Sequence, residues 1–197
     1  MARVSRSKTS SQTTGTGLPW HVVETAINHE VEWLREAIPE KIGADVPGYD
    51  NCLYTLRKIA LLIVTGTVEA KEFAAREGHD LWDDLTVTHV TKQFVRHGGE
   101  WHRQMMAVLS TYFEKQGFEV VSEPYLPKGR ADLGVYKDGY RDLFIEVGTT
   151  TAYKLWWNLE MLSDCVILLV PEESHAVEFI CKGHNRYPTL LGTRTFD

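Results

Sequence analysis

Residues 130–148 read RADLGVY, KDG, YRDLFIEVG, and no other stretch limits the fold so tightly. Two runs of strand-forming residues flank a three-residue turn. With Gly139 in the left-handed conformation, such a loop makes a type I turn followed by a bulge. Tyr136 then flanks Tyr140, Arg130 lies opposite Glu146, and Asp132 lies opposite Phe144. Side chains alternate along a strand, so Ala131, Leu133, Val135, Leu143, Ile145 and Val147 share one face and point into a core. Asp132 and Glu146 share the other face as diagonal neighbours, with β-carbons about 7–8 Å apart or less. A two-residue Asp-Gly turn would slip the pairing by one and bury Glu146 beside Leu133, against the apolar alternation.

An antiparallel pair with one apolar face needs a second layer, and the flanking sequence supplies helices. EWHRQMMAVLSTYFEKQG (100–117) is amphipathic and ends on Gly117, and FEVVSEPYL follows it as a strand. After the hairpin, TAYKLWWNLEMLS is a helix with a threonine N-cap. CVILLV (165–170) is uniformly apolar, as a central strand buried on both faces must be, and AVEFICK is a last strand. The order is helix, three strands, helix, two strands, an α/β arrangement spanning 99–197. Upstream, WHVVETAINHEVEWLREAI carries a helical stripe of Val22, Val23, Ala26, Ile27, Val31, Leu34 and Ile38. A second helix is expected over roughly 51–77 and a weaker helical segment over 80–97, which makes 19–98 a helical subdomain. Residues 1–18, rich in Ser, Thr and Gly, are expected to form a flexible basic tail.

The longest apolar runs, IALLIV and CVILLV, are far short of the roughly 20 residues a membrane span needs, so no membrane partner is expected. The N-terminus has no apolar signal-peptide core. Cys52, Cys165 and Cys181 are odd in number and widely spaced, which fits buried thiols in a reducing cytoplasm. Arg3, Arg6 and Lys8 give the first 19 residues +3, and a total of −6 leaves −9 on the remainder. An acidic body argues against a broad nucleic-acid footprint but leaves room for a local basic groove. His21, His29, His89 and His97 show no ligand spacing with Cys or acids and read as ordinary polar histidines.

Two carboxylates converging from adjacent strands repel each other unless a proton or cation lies between them. Hard oxygen ligands on a rigid platform suit Mg²⁺ or Mn²⁺, which could activate water and offset charge on a phosphoryl group. The plainer reading is an acid pair at a sheet end, salt-bridged to Arg130.

GRADLGVY…LFIEVG within an α-β-β-β-α-β order resembles the PD-(D/E)xK, or restriction-endonuclease-like, nuclease superfamily. The lead-in STYFEKQGFEVVSE is similar to that of archaeal Holliday-junction resolvases and related small nucleases. The similarity covers roughly 98–182. It implies a metal-dependent DNA endonuclease in which Asp132 is the first metal-binding acid and Glu146 the second, with Glu100 the nearest candidate for a helix glutamate. DNA is then the expected partner, and a homodimer a candidate assembly. Lys128 and Arg130 before the first acid, and Thr149 and Thr150 after the second, are the candidate nucleic-acid contacts. The superfamily's lysine belongs two residues after the second acid, where this chain has Gly148. Three accounts of the gap stand open. Lys154, early in the following helix, could lean back over the sheet end; a metal could act without lysine, with Thr149 or Thr150 placing the water; or the domain could be a catalytically inactive DNA-binding or protein-assembly module.

Overall fold

The computed structural model describes residues 19–38, 49–73, 99–172 and 175–183 of the 197. The tail 1–18 and the expected helical segment 80–97 lie outside these residues. Four helices and six strands are described: α1 (Trp20–Ala37), α2 (Tyr49–Val64), β1 (Val68–Phe73), α3 (Glu100–Lys115), β2 (Glu119–Ser122), β3 (Leu133–Tyr136), β4 (Asp142–Val147), α4 (Ala152–Met161), β5 (Cys165–Val170) and β6 (Ala176–Cys181).

The strands form one mixed sheet in the order β1-β6-β5-β4-β3-β2. Only β4 and β5 run parallel; every other neighbouring pair is antiparallel. A parallel pair needs a crossover, and α4 supplies it. On one face of the sheet α1, α2 and α4 bury Val23, Ile27, Leu34, Ile59, Leu155 and Leu159 against Phe144, Ile167, Leu169 and Phe179. On the other, α3 buries Met105, Leu109 and Phe113 against Leu133, Val135, Leu143, Ile145, Val166 and Leu168. β5 has every residue buried, as its uniform apolarity requires. Each Leu, Ile or Phe so enclosed contributes about 1.5–3 kcal/mol.

The helix expected over 51–77 ends at Val64, and β1 follows it at Val68–Phe73; 74–77 lie outside the described residues. Gly66 stands at φ +77°, a turn conformation that suits glycine, and Thr65 and Thr67 on either side are β-branched. VEAKEF then pairs with β6, alternating Val68, Ala70 and Glu72 with Glu69 and Lys71. Lys71 lies opposite the fully buried Glu178 and its Nζ is 3.0 Å from Oε2, a long-range contact that no local periodicity can show. Where described, the 19–98 segment therefore adds one strand to the sheet and covers one of its faces with α1 and α2.

The hairpin register differs from expectation by two residues. Leu133 pairs with Ile145, Gly134 with Phe144 and Val135 with Leu143. Gly139 is left-handed at φ +83°, but Tyr140 and Arg141 are drawn out of the ladder. Tyr140 sits edge-on to Phe118 at 5.6 Å, and Arg141 Nε pairs with Asp164 Oδ1 at 2.8 Å. Because the side-chain period is two, a slip of two leaves each strand residue on its expected face. Ala131 and Asp132, just before the regular ladder, are the exceptions: Ala131 joins the core under α4 with Phe144, Ala152 and Leu155, and Asp132 meets His102 of α3 whereas Glu146 lies under α4.

Candidate active site

Three elements meet at the C-terminal end of β4. At Val147 the strand's N–H donates to Asp132 Oδ2 at 2.6 Å, so a carboxylate oxygen caps the ladder between β3 and β4. The other oxygen, Oδ1, faces α3, where His102 Nε2 lies 3.4 Å away. Asp132 remains 28% exposed in its side chain, enough to meet a ligand.

Glu146 is more enclosed, with its side chain 10% exposed, on the sheet face that α4 covers. Its partner is Lys154. The Nζ lies 2.7 Å from Oε1 and 2.8 Å from Oε2, and also donates to the Arg130 carbonyl at 2.6 Å. Burial pushes the Glu146 carboxyl up to about 6; Lys154 opposes that shift and the Asp132 charge adds to it. The expected solvent-facing acid is thus a buried one, and its partner is Lys154 leaning back from the helix, not the Arg130 of the plainer reading.

Local chemistry explains why the lysine arrives from a helix. Gly148 has φ +87°, a backbone conformation that lysine rarely adopts, and its N–H donates to the Val170 carbonyl at 2.8 Å. The chain turns there and enters α4, whose N-cap Thr151 accepts from the Lys154 N–H at 3.2 Å. Lys154 falls in the first helical turn and reaches back over the sheet end. Its stem passes over Gly129 (φ +78°), where an added β-carbon would lie 3.5 Å from Cε. One turn further on, the buried Asn158 takes the Lys128 N–H on Oδ1 at 2.8 Å and donates to the Lys128 carbonyl at 3.2 Å. α4 therefore grips the 126–130 loop at two points and holds the backbone before Asp132 in place.

The remaining candidates are placed differently. Glu100 is tied to its own helix, pairing with Arg103 at 2.7 Å and accepting from Gln104 at 2.7 Å. These contacts hold its carboxyl below the usual range. The α3 side chain that meets Asp132 is His102. Its position was readable: 102, 105, 109 and 113 form one stripe, and the last three are the buried face of α3. Arg130 is exposed and bonded to Glu123 Oε2 at 2.9 Å and the Tyr125 hydroxyl at 2.5 Å. Lys128 Nζ lies 5.2 Å from the Tyr153 ring centroid. Thr149 is exposed and Thr150 half-buried on the turn between β4 and α4.

Asp132 and Glu146 provide hard oxygen donors, and Mg²⁺ is commonly held by one or two carboxylates with water and phosphate oxygens completing its shell. The donor set fits that ion or Mn²⁺. Among the described residues no group of three or more His, Cys, Asp and Glu could hold a metal, and no helix is long and apolar enough to cross a membrane. No protein-family model, curated protein or solved structure matches the chain.

Proposed function

We propose that the chain is a metal-dependent DNA endonuclease built on a restriction-endonuclease-like α-β-β-β-α-β core, hydrolysing phosphodiester bonds at Asp132 and Glu146. The observation that carries this reading is the Lys154 amine, 2.7 Å from Glu146, at a strand end where position 148 is a left-handed glycine. An acid pair and a lysine converge there from a strand end and two other segments, a set of charges suited to hydrolysis of a phosphodiester. A Mg²⁺ or Mn²⁺ ion held by Asp132 and Glu146 would activate water and offset the growing phosphoryl charge.

The chain's own groups have separable tasks. Lys154 places a cation beside the reacting centre, where it orients the attacking water and stabilises charge that grows in the transition state. His102 and the Val147 N–H hold the Asp132 carboxylate in one orientation. Asn158 fixes the backbone through which Arg130 accepts from Lys154, so the amine keeps its position. The free thiols of Cys165 and Cys181, paired across β5 and β6, support a reducing compartment such as the cytoplasm.

The test is cleavage of linear, nicked, branched and single-stranded DNA by the full chain with Mg²⁺ or Mn²⁺. Cutting of at least one form is expected, lost in Asp132→Asn and reduced by two or more orders of magnitude in Lys154→Ala. No cutting of any form with either ion overturns the proposal, and salt-sensitive binding without cleavage would make the domain a binding module.

A further inference from the structure

Beside the candidate site, aromatic rings and cations alternate across the surface from α2 to the 126–130 loop. On α2, Lys58 Nζ lies 5.0 Å from the centroid of Tyr54, which is 62% exposed, and 3.9 Å from that of Trp156 on α4. Trp156 contacts Tyr153 at 5.7 Å between ring centroids. Lys128 Nζ sits 5.2 Å from the exposed Tyr153 ring. Two residues on, the Arg130 guanidinium lies 4.4 Å over Tyr125, the most exposed large apolar side chain described, at 78%. Lys154, adjacent to Tyr153 in sequence and bonded to the Arg130 carbonyl, links the row to Glu146.

Exposed tyrosines gain little from water, and no described carboxylate forms an ion pair with Lys58 or Lys128. Acids at the margin are Glu123, already bonded to Arg130, and Glu160 at the far end of α4. In a body that is acidic overall this is a local run of positive charge. Rings alternating with cations match a strand whose bases are unpaired, because a base can stack on a ring only when its face is free, while each cation meets a phosphate. A duplex shows phosphates and base edges and would leave the rings unused.

We infer that the surface formed by Tyr54, Lys58, Trp156, Tyr153, Lys128 and Tyr125 binds an unpaired nucleic-acid strand and leads it to Glu146 and Lys154. This rests on the nuclease reading for its direction toward the acids, but its test is binding alone.

Fluorescence anisotropy of the full chain in EDTA would compare a labelled oligo-dT of about 15 nucleotides, the matching oligo-rU and a duplex of equal length. Single strands are expected to bind at least tenfold tighter than duplex, with the rU and dT arms showing which sugar is preferred. Tyr125→Ala with Tyr153→Ala should weaken single-strand binding by about tenfold or more, while Tyr→Phe at both positions retains it, since stacking needs the ring. Lys58→Gln with Lys128→Gln should lower the slope of log affinity against log salt by about 1.4, at about 0.7 for each phosphate no longer neutralised. Tyr140→Ala, with its ring on Phe118, serves as the exposed-tyrosine control.

Duplex bound as tightly as single strand, or the Tyr→Ala pair bound as tightly as the native chain, overturns the inference. Binding of neither form also overturns it. Single-strand binding together with no cleavage in the separate Mg²⁺ or Mn²⁺ assay refutes the nuclease reading and leaves this one standing; cleavage of duplex there without single-strand binding does the reverse.

Discussion

Lys154→Met removes the cation paired with Glu146 while keeping an apolar stem over Gly129, and the cost should depend on pH in a calculable way. In the native chain burial raises the Glu146 carboxyl from 4.5 to about 6. For an acid whose folded pKa lies above its unfolded value, the stability it contributes is full below pH 4.5 and is lost as pH rises through 6. At 1.36 kcal/mol per unit, the ionised, lysine-paired carboxylate therefore costs about 2 kcal/mol above that window. Without Lys154 the influences that lower the pKa disappear, whereas burial and the Asp132 charge remain. The limiting case is a carboxyl that stays protonated throughout the folded state, which at pH 8 costs about 4.8 kcal/mol against an ionised unfolded chain. The substitution's electrostatic penalty is thus at most about 2.7 kcal/mol at pH 8 and close to zero at pH 5. Urea unfolding in EDTA at pH 5, 6.5 and 8 would measure it. The expected difference from native protein is small at pH 5 and grows by up to about 1.4 kcal/mol per unit above pH 6. Adding Glu146→Gln should flatten the growth, because no charge is left to strand. A penalty that is equal at all three pH values, or greatest at pH 5, would refute the claim that Lys154 serves to hold a buried charge.

Other expectations follow from single contacts. Asp132→Asn should fold normally, since an amide oxygen can still accept from the Val147 N–H, yet lose metal-dependent cleavage; a lowered melting temperature alone would contradict that separation. Asn158→Leu strands the Lys128 N–H and carbonyl at the base of α4 and should cost about 1–3 kcal/mol in chemical unfolding. Gly129→Ala forces a left-handed residue against the Lys154 stem and should destabilise by about 1–2 kcal/mol, with faster proteolysis in the 126–130 loop as a second readout. His102→Ala frees Asp132 Oδ1 and should lower cleavage while leaving unfolding free energy nearly unchanged, because both side chains are partly exposed.

Much of the architecture follows from local rules. The uniform apolarity of 165–170 requires a strand buried on both faces, and the stripe Met105, Leu109, Phe113 requires a helix lying on a sheet. Thr151 as N-cap and Gly139 as a left-handed turn residue are likewise chemical necessities of their positions. β1 was not legible in this way. Val68–Phe73 continues an apolar helix without a proline, and what makes it a strand is pairing with β6 more than 100 residues away, including Lys71 opposite buried Glu178.

The candidate site divides along the same line. By itself the sequence determined that Asp132 and Glu146 come from the two arms of one hairpin, that position 148 holds no lysine, and that Lys154 lies at the start of the next helix. Those are consequences of side-chain period, turn chemistry and capping, each set by a few neighbouring residues. Only the tertiary structure decided that Glu146 is buried rather than open and that Lys154 and not Arg130 meets it. Each of those outcomes depends on how far a helix leans over a sheet end, which is set by packing among α4, the 126–130 loop and α3. No local pattern encodes that distance, because the residues that fix it, Asn158, Gly129 and Arg130, lie on separate segments that meet only when the chain is folded.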